Sequence, residues 1–185
     1  IYVPKNVKKS KVKNIESYGS KVVKFGEDCL DAENEAIRLS KENNLTFVSP
    51  YNDYDIISGQ GTIGVEILEQ NSEIDIVFIT VGGGGLVSGI SSYIKSINPN
   101  IKVIGCSPIN SSIMINSIKE GKITNTESKD TLSDGSAGGV EEGSITFNMC
   151  KDLIDDYCLV SEEEIALQIK NALNIDKMLV EGSAA

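Results

Sequence analysis

Histidine is absent from all 185 residues. With it go the commonest general base and the commonest metal-ligating side chain, so a Ser-His-Asp or Cys-His enzyme is excluded within this span. The four cysteines, Cys29, Cys106, Cys150 and Cys158, have no CxxC spacing. Cys106 and Cys158 sit in apolar runs, so the expectation is buried, reduced thiols in a cytoplasmic protein. No apolar run approaches the roughly 18 residues of a membrane span, and no signal-peptide pattern opens the chain, so no membrane partner is expected. Basic charge is also scarce. Seventeen Lys and Arg against 27 Asp and Glu leave a net charge of −10, which argues against nucleic acid as the main partner. The lysines that are present crowd the amino end: Lys5, Lys8, Lys9, Lys11, Lys13, Lys21 and Lys24 face only Glu16. Interleaved with Val7, Val12 and Ile15, they read as the solvated face of an amphipathic helix rather than a nucleic-acid arm.

What is present is a globular composition, 40% hydrophobic and 24% charged, organised around one stretch. Ile76-Val-Phe-Ile-Thr-Val81 is apolar or β-branched without alternation, the pattern of a strand buried on both faces in a parallel sheet. Gly82-Gly83-Gly84-Gly85 follows, and then a helical pattern of Leu86, Ile90, Tyr93, Ile94 and Ile97. A strand, a turn stripped of Cβ atoms and a helix amino end gather bare N–H groups and the positive end of a helix dipole at one point, which is a phosphate seat. Four glycines exceed what a tight turn requires. No Lys-Ser or Lys-Thr follows, so this is not a P-loop. In Gly82-x-Gly84-x-x-Val87, valine stands where a dinucleotide fingerprint has its third small residue.

The remaining segments alternate between strand and helix. Ile1–Val3, Lys21–Phe25, Thr46–Val48, Lys102–Cys106 and Tyr157–Val160 read as strands. Helices are expected over Val7–Tyr18, Leu30–Asn43, Ile56–Gln70, Ser111–Lys119, Ile145–Leu153 and Ile165–Leu173. Gly59, Gly61 and Gly64 near the start of the third helix indicate either close backbone packing or a catalytic role. Ser161-Glu-Glu-Glu164 is a capping box. Asn52-Asp53-Tyr54-Asp55 is a polar, irregular crossing between two lobes. The class is α/β with a mainly parallel sheet. The chain opens at the end of a strand without an initiator methionine and stops at Val180–Ala185, apparently inside an element, so we expect it to be part of a longer protein.

Taken together, several stretches resemble the serine/threonine dehydratase family of pyridoxal-phosphate enzymes of fold type II. They are Val3-Pro4-Lys-Asn, Tyr18-Gly19-Ser-Lys-Val-Val23, Ser58-Gly-Gln-Gly-Thr-Ile-Gly-Val-Glu-Ile67, Val81-Gly-Gly-Gly-Gly-Leu86, Ser133-Asp-Gly-Ser-Ala137, Ile145-Thr-Phe147, Leu159-Val-Ser-Glu-Glu-Glu-Ile165 and Val180-Glu-Gly182. They keep the family's order over essentially the whole chain. The resemblance implies a three-layer α/β/α, tryptophan synthase β-like fold, with residues 1–52 in part of a small domain and 53–185 in part of a large cofactor-binding domain. It implies that Gly82, Gly83, Gly84, Gly85 and Leu86 hold the phosphate of pyridoxal 5′-phosphate. It sets Gly135 and Ser136 beside the cofactor ring and Glu181 near the substrate, although a carboxylate facing solvent is an equally plain reading of Glu181.

The activity implied is conversion of L-threonine, L-serine or a related β-hydroxy amino acid to a 2-oxo acid and ammonia by a homo-oligomer. Racemisation and β-replacement are the alternatives on the same fold, and a non-catalytic phosphate-binding module is the alternative outside it. Two family features are missing: the Ser-Phe-Lys-like lysine that holds the cofactor covalently, and the Ser-x-Asn-His-x-Gln-Gly loop. No catalytic residue is therefore assigned in this span. Where some relatives carry a metal-binding glutamate before a proline, this chain has Ser107 before Pro108, and no metal site is expected.

Overall fold

A computed structural model of the chain describes residues 1–124 and 126–185. These fall into two compact units, Ile1–Ser49 and Pro50–Ala185. In the first, β1 (Tyr2–Val3) pairs in parallel with β2 (Val23–Lys24). Between them lies α1 (Lys9–Ser17), which buries none of its residues, as its lysine content requires. Gly19, at φ +80°, turns the chain after it. The unit ends with α2 (Cys29–Glu42), where the Asp28 side chain accepts from the Asp31 N–H and Ala32 is buried. The expected strand at Thr46–Val48 is not formed. Val48 is 70% exposed, and no described strand pairs with this segment. β propensity without a ladder partner does not make a strand.

The second unit begins with α3 (Tyr54–Gln70), capped by the Asp53 carboxylate, which accepts from the Asp55 and Ile56 N–H groups. Tyr54 and Asp55 thus belong to the helix rather than to an irregular crossing. There follow β3 (Ile76–Thr80), α4 (Gly85–Ile97), β4 (Lys102–Pro108), a 3-10 turn at Ile109–Ser111 and α5 (Ile113–Glu120). After the loop around Ser133 come α6 (Ile145–Leu153), β5 (Asp156–Val160) and α7 (Glu162–Asn171). The capping box is complete: Ser161 Oγ accepts from the Glu164 N–H, and the Glu164 carboxylate accepts from the Ser161 N–H at 2.8 Å. Helix α7 runs into a π turn at Ala172–Asp176.

The sheet order is β3-β4-β5, all parallel, with Ile76 opposite Lys102 and Cys106 opposite Cys158. The expected α/β/α layering is present. On one face Val77, Ile79 and Val103 join Ile90 and Ile94 of α4, Met114 of α5 and Cys150 of α6 in the core. Over the other face, Ile165 of α7 and the Ser183–Ala185 segment bound an open cleft of about 220 Å³ with Phe78, Thr80 and Cys106. Burial on both faces does not hold along the whole of β3: Ile76 and Phe78 are 47% and 68% exposed. Nothing in the described chain extends far enough along this face to cover them.

Packing explains two of the three glycines of α3; a Cβ on Gly59 would meet nothing within 4 Å. A Cβ on Gly61 would lie 3.2 Å from the Gly89 carbonyl oxygen, and one on Gly64 would lie 3.0 Å from that of Ile90. Helices α3 and α4 therefore meet backbone to backbone, which only glycine permits. Among the described residues no helix is long and apolar enough to cross a membrane.

Candidate functional site

The carboxyl end of β3 is the focus of this unit, as expected of an open parallel sheet, where ligands bind beyond the carboxyl ends of the strands. The chain leaves β3 through Val81, whose N–H donates to the Cys106 carbonyl at 2.7 Å. It then passes through Gly82 and Gly83 to Gly84, the N-cap of α4, which is left-handed at φ +90°. Gly85 is the first helical residue and, like Gly84, is buried; Leu86 is half-buried. Among the described residues, no hydrogen bond is donated by the N–H of Gly82, Gly83, Gly84, Gly85 or Leu86. The first N–H groups of any helix lack an intrahelical acceptor. Here no side chain caps them, so these partly buried donors are left for a ligand, and the α4 dipole favours an anion.

The side on which a glycine Cβ would project is filled. A Cβ on Gly83 would meet the Tyr51 ring at 2.5 Å, and one on Gly84 would lie 2.7 Å from Cys150 Sγ and 3.0 Å from the Thr146 Cβ. Tyr51 is itself held by the Glu141 N–H, which donates to its hydroxyl at 3.0 Å. Asn52 Oδ1 accepts from the Ile145 N–H at 2.8 Å and so caps α6. From α6, the Thr146 hydroxyl donates to the Gly83 carbonyl at 2.6 Å. Burial pushes the Cys150 thiol up to about 12, against a smaller opposite pull from Ser88. It therefore acts as a small apolar wedge rather than a nucleophile.

The second small-residue loop meets this turn. A Cβ on Gly82 would lie 2.8 Å from the Ser136 carbonyl oxygen, and one on Gly135 would lie 3.4 Å from Glu181 Oε2 and 3.0 Å from Ser183 Oγ. Ser136 is buried and Gly135 exposed. The hydroxyls of Ser133, Ser136 and Ser183 form a cluster with spacings of 2.6 and 3.0 Å. Thr80 Oγ1 donates to the Ser183 carbonyl at 2.7 Å, tying the turn that contains Glu181 to the end of β3. Glu181 is exposed, in a hydrogen-bonded turn closed by the Ala184 N–H on the Glu181 carbonyl. The stop inside a regular element expected for Val180–Ala185 is thus replaced by this turn. Gly82, Gly83, Gly84, Gly85, Leu86, Gly135, Ser136 and Glu181 are in this way brought to one end of one sheet. Ser107, on β4, is buried and donates its hydroxyl to the Val81 carbonyl at 2.6 Å.

Tyr51, Ser144, Thr146 and Cys150 shape this region although the sequence assigns them no role at this turn; Cys150 reads there only as a reduced thiol, and Thr146 only as part of the family-like Ile145-Thr-Phe147 stretch. A signal was present for one of them, because Thr146 is a hydroxyl residue in the first turn of an otherwise apolar helix start.

The sequence profile of a protein family described as pyridoxal-phosphate dependent enzyme matches residues 1–185. The chain is 40% identical, over its full 185 residues, to an L-threonine ammonia-lyase of Thermotoga maritima, of which it covers 46%. Among solved structures it superposes on maize serine racemase with a TM-score of 0.89 at 34% identity, covering 100% of this chain and 56% of that one. It superposes on the processed form of threonine deaminase isoform 2 from Solanum lycopersicum with a TM-score of 0.85 at 35% identity, covering 99% and 53%. The chain thus spans about half the length of the relatives it matches.

Proposed function

Because the chain belongs to the family of pyridoxal-phosphate dependent enzymes, we propose that it contributes the cofactor-phosphate site of a dehydratase that converts L-threonine, or L-serine, to a 2-oxo acid and ammonia. The observation that carries this reading is the set of unpartnered N–H groups from Gly82 to Leu86 at the head of α4. A dianionic phosphate supplies the acceptors these donors lack, and no lysine or arginine is needed beside them. When bound, the cofactor supplies the electron sink for the carbanion formed at the substrate α-carbon; the protein supplies orientation and electrostatics. Gly82, Gly83, Gly84, Gly85 and Leu86 would hold the phosphate. Gly135 and Ser136 would flank the ring, and Glu181, whose carboxylate abuts Gly135, would lie toward the substrate. Residues 1–52 and 53–185 would be parts of the small and the cofactor-binding domain.

Dehydration is preferred over racemisation because proteins named L-threonine ammonia-lyase or L-threonine dehydratase are 36–40% identical to this chain over its whole length. The likeness to maize serine racemase supports the alternative. Cytoplasmic location and homo-oligomeric assembly complete the proposal; four cysteines without a disulfide among the described residues suit a reducing compartment.

The test is catalytic. The protein expressed from its genomic reading frame, given pyridoxal 5′-phosphate and L-threonine, is expected to release 2-oxobutanoate and ammonia in equal amounts, read as the hydrazone and by a coupled ammonia assay. Conversion of L-threonine to D-allothreonine, or of L-serine to D-serine, without any 2-oxo acid would replace dehydration by racemisation.

A further inference from the structure

The five N–H groups of the glycine turn do not all owe their direction to the same cause. The Gly84 carbonyl accepts the first bond of α4, from the Ser88 N–H at 3.0 Å. A trans peptide sets its C=O and N–H antiparallel, so the helix itself fixes the direction of the Gly85 N–H. The Gly83–Gly84 peptide has no such support. It lies outside the helix between two glycines, where rotation of the whole plane meets no Cβ. Its carbonyl accepts, among the described residues, only from the Thr146 hydroxyl at 2.6 Å. Thr146 is fully buried, at 0% exposure. Its oxygen lies 2.7 Å from the hydroxyl of Ser144, which is 2% exposed. A threonine hydroxyl has one proton. With that proton on the Gly83 oxygen, the Ser144 hydroxyl must donate to Thr146, and the relay runs from Ser144 through Thr146 to Gly83.

We infer that Thr146 is a positioning residue of the phosphate cradle. By holding the Gly83 carbonyl it aims the Gly84 N–H in the opposite direction, toward the anion. This inference rests on the proposed phosphate site and deepens it. The next turn of α6 serves the same end, with Cys150 Sγ 3.9 Å from the Gly84 carbonyl and wedged where a Cβ of Gly84 would stand. One face of α6, at positions i and i+4, therefore backs the turn.

The experiment compares pyridoxine 5′-phosphate with pyridoxine, neither of which carries an aldehyde that could react with lysines. Calorimetry on the wild type is expected to show tighter binding of the phosphorylated compound. In Thr146→Val, which keeps the shape and removes the hydroxyl, the affinity for pyridoxine 5′-phosphate is expected to fall about tenfold, the usual cost of an unpaired buried polar group. Pyridoxine binding should not change. Thr146→Ser, which restores the hydroxyl, should recover most of the loss; a merely structural role for the methyl group would not be rescued in this way. Should Thr146→Val fail to fold, Thr146→Cys, with similar volume and a weak donor, is expected to give an intermediate loss. A wild type that does not distinguish the two compounds overturns the phosphate site, and the inference with it. A wild type that does distinguish them, with valine or cysteine variants of unchanged phosphate affinity, overturns the inference and leaves the site standing.

Discussion

Replacing Gly84 by alanine introduces one carbon atom and two separate costs. The residue has φ +90°, where an L side chain crowds its own carbonyl by about 1–2 kcal/mol. The new methyl group would also lie 2.7 Å from Cys150 Sγ, 3.0 Å from the Thr146 Cβ and 3.1 Å from the Met114 Cε. Cys150, Thr146 and Met114 are all essentially inaccessible to solvent, so none moves aside freely, and overpacking of this kind costs a further 1–3 kcal/mol or so. The sum, roughly 2–5 kcal/mol, is a large part of the total stability of an ordinary domain, about 5–15 kcal/mol. Gly121 provides the control within the same unit. It has φ +75°, and a Cβ there would meet nothing within 4 Å, so Gly121→Ala carries the backbone cost alone. Urea unfolding followed by far-UV circular dichroism should place Gly84→Ala below Gly121→Ala by about 1–3 kcal/mol at unchanged slope. Equal losses in the two variants would show that the wall of Cys150, Thr146 and Met114 does not press on the turn, and would refute the packing argument.

Three further outcomes are expected. Burial tends to raise the Asp155 carboxyl, but the Lys95 ammonium at 2.6 Å and the Val103 N–H at 2.7 Å hold it below the usual range. Its contribution is therefore present above about pH 4, the unfolded value, and is lost as the pH falls through the lower folded value. The pair is partly exposed, so Asp155→Asn should cost about 1 kcal/mol at pH 7 and progressively less in acid, and an equal cost at pH 7 and pH 2 would contradict this. In timed alkylation at pH 8, Cys29 and Cys158, both exposed, should react first. Cys106, raised to about 11 by burial and by the neighbouring Cys158 thiol, and Cys150, raised to about 12 by burial, should lag far behind; early modification of Cys150 would show that the wall behind Gly84 is open. Finally, borohydride reduction in the presence of pyridoxal 5′-phosphate should give no specific pyridoxyl-lysine in these 185 residues, and a single dominant adduct found by mass spectrometry would reveal a cofactor lysine that the motif did not mark.

Much of this architecture is legible in the sequence because it is local. The passage from β3 through four glycines to α4 is written in consecutive residues, and the Ser161–Glu164 box is equally short-range. In the sequence the glycines of α3 leave close packing and a catalytic role open, and packing against Gly89 and Ile90 of α4 accounts for Gly61 and Gly64. What could not be read depends on distant partners. Thr146 and Gly83 are 63 positions apart, and no periodicity announces that a hydroxyl on one helix will hold a carbonyl on a remote turn. Thr46–Val48 has the composition of a strand but no ladder to join. The unbroken apolar run Ile76–Val81 reads as a strand buried on both faces, but the coverage of each face depends on what else is packed there, and Ile76 and Phe78 are exposed.

The central claim is that main-chain N–H groups between Gly82 and Leu86 hold a phosphate. The most direct measurement is a titration of the 15N-labelled chain with pyridoxine 5′-phosphate and, separately, with pyridoxine, following the backbone amides. The account expects saturable downfield shifts of the Gly82–Leu86 amide protons with the phosphorylated compound alone. Unmoved amides in this turn, or equal shifts with both compounds, would contradict it.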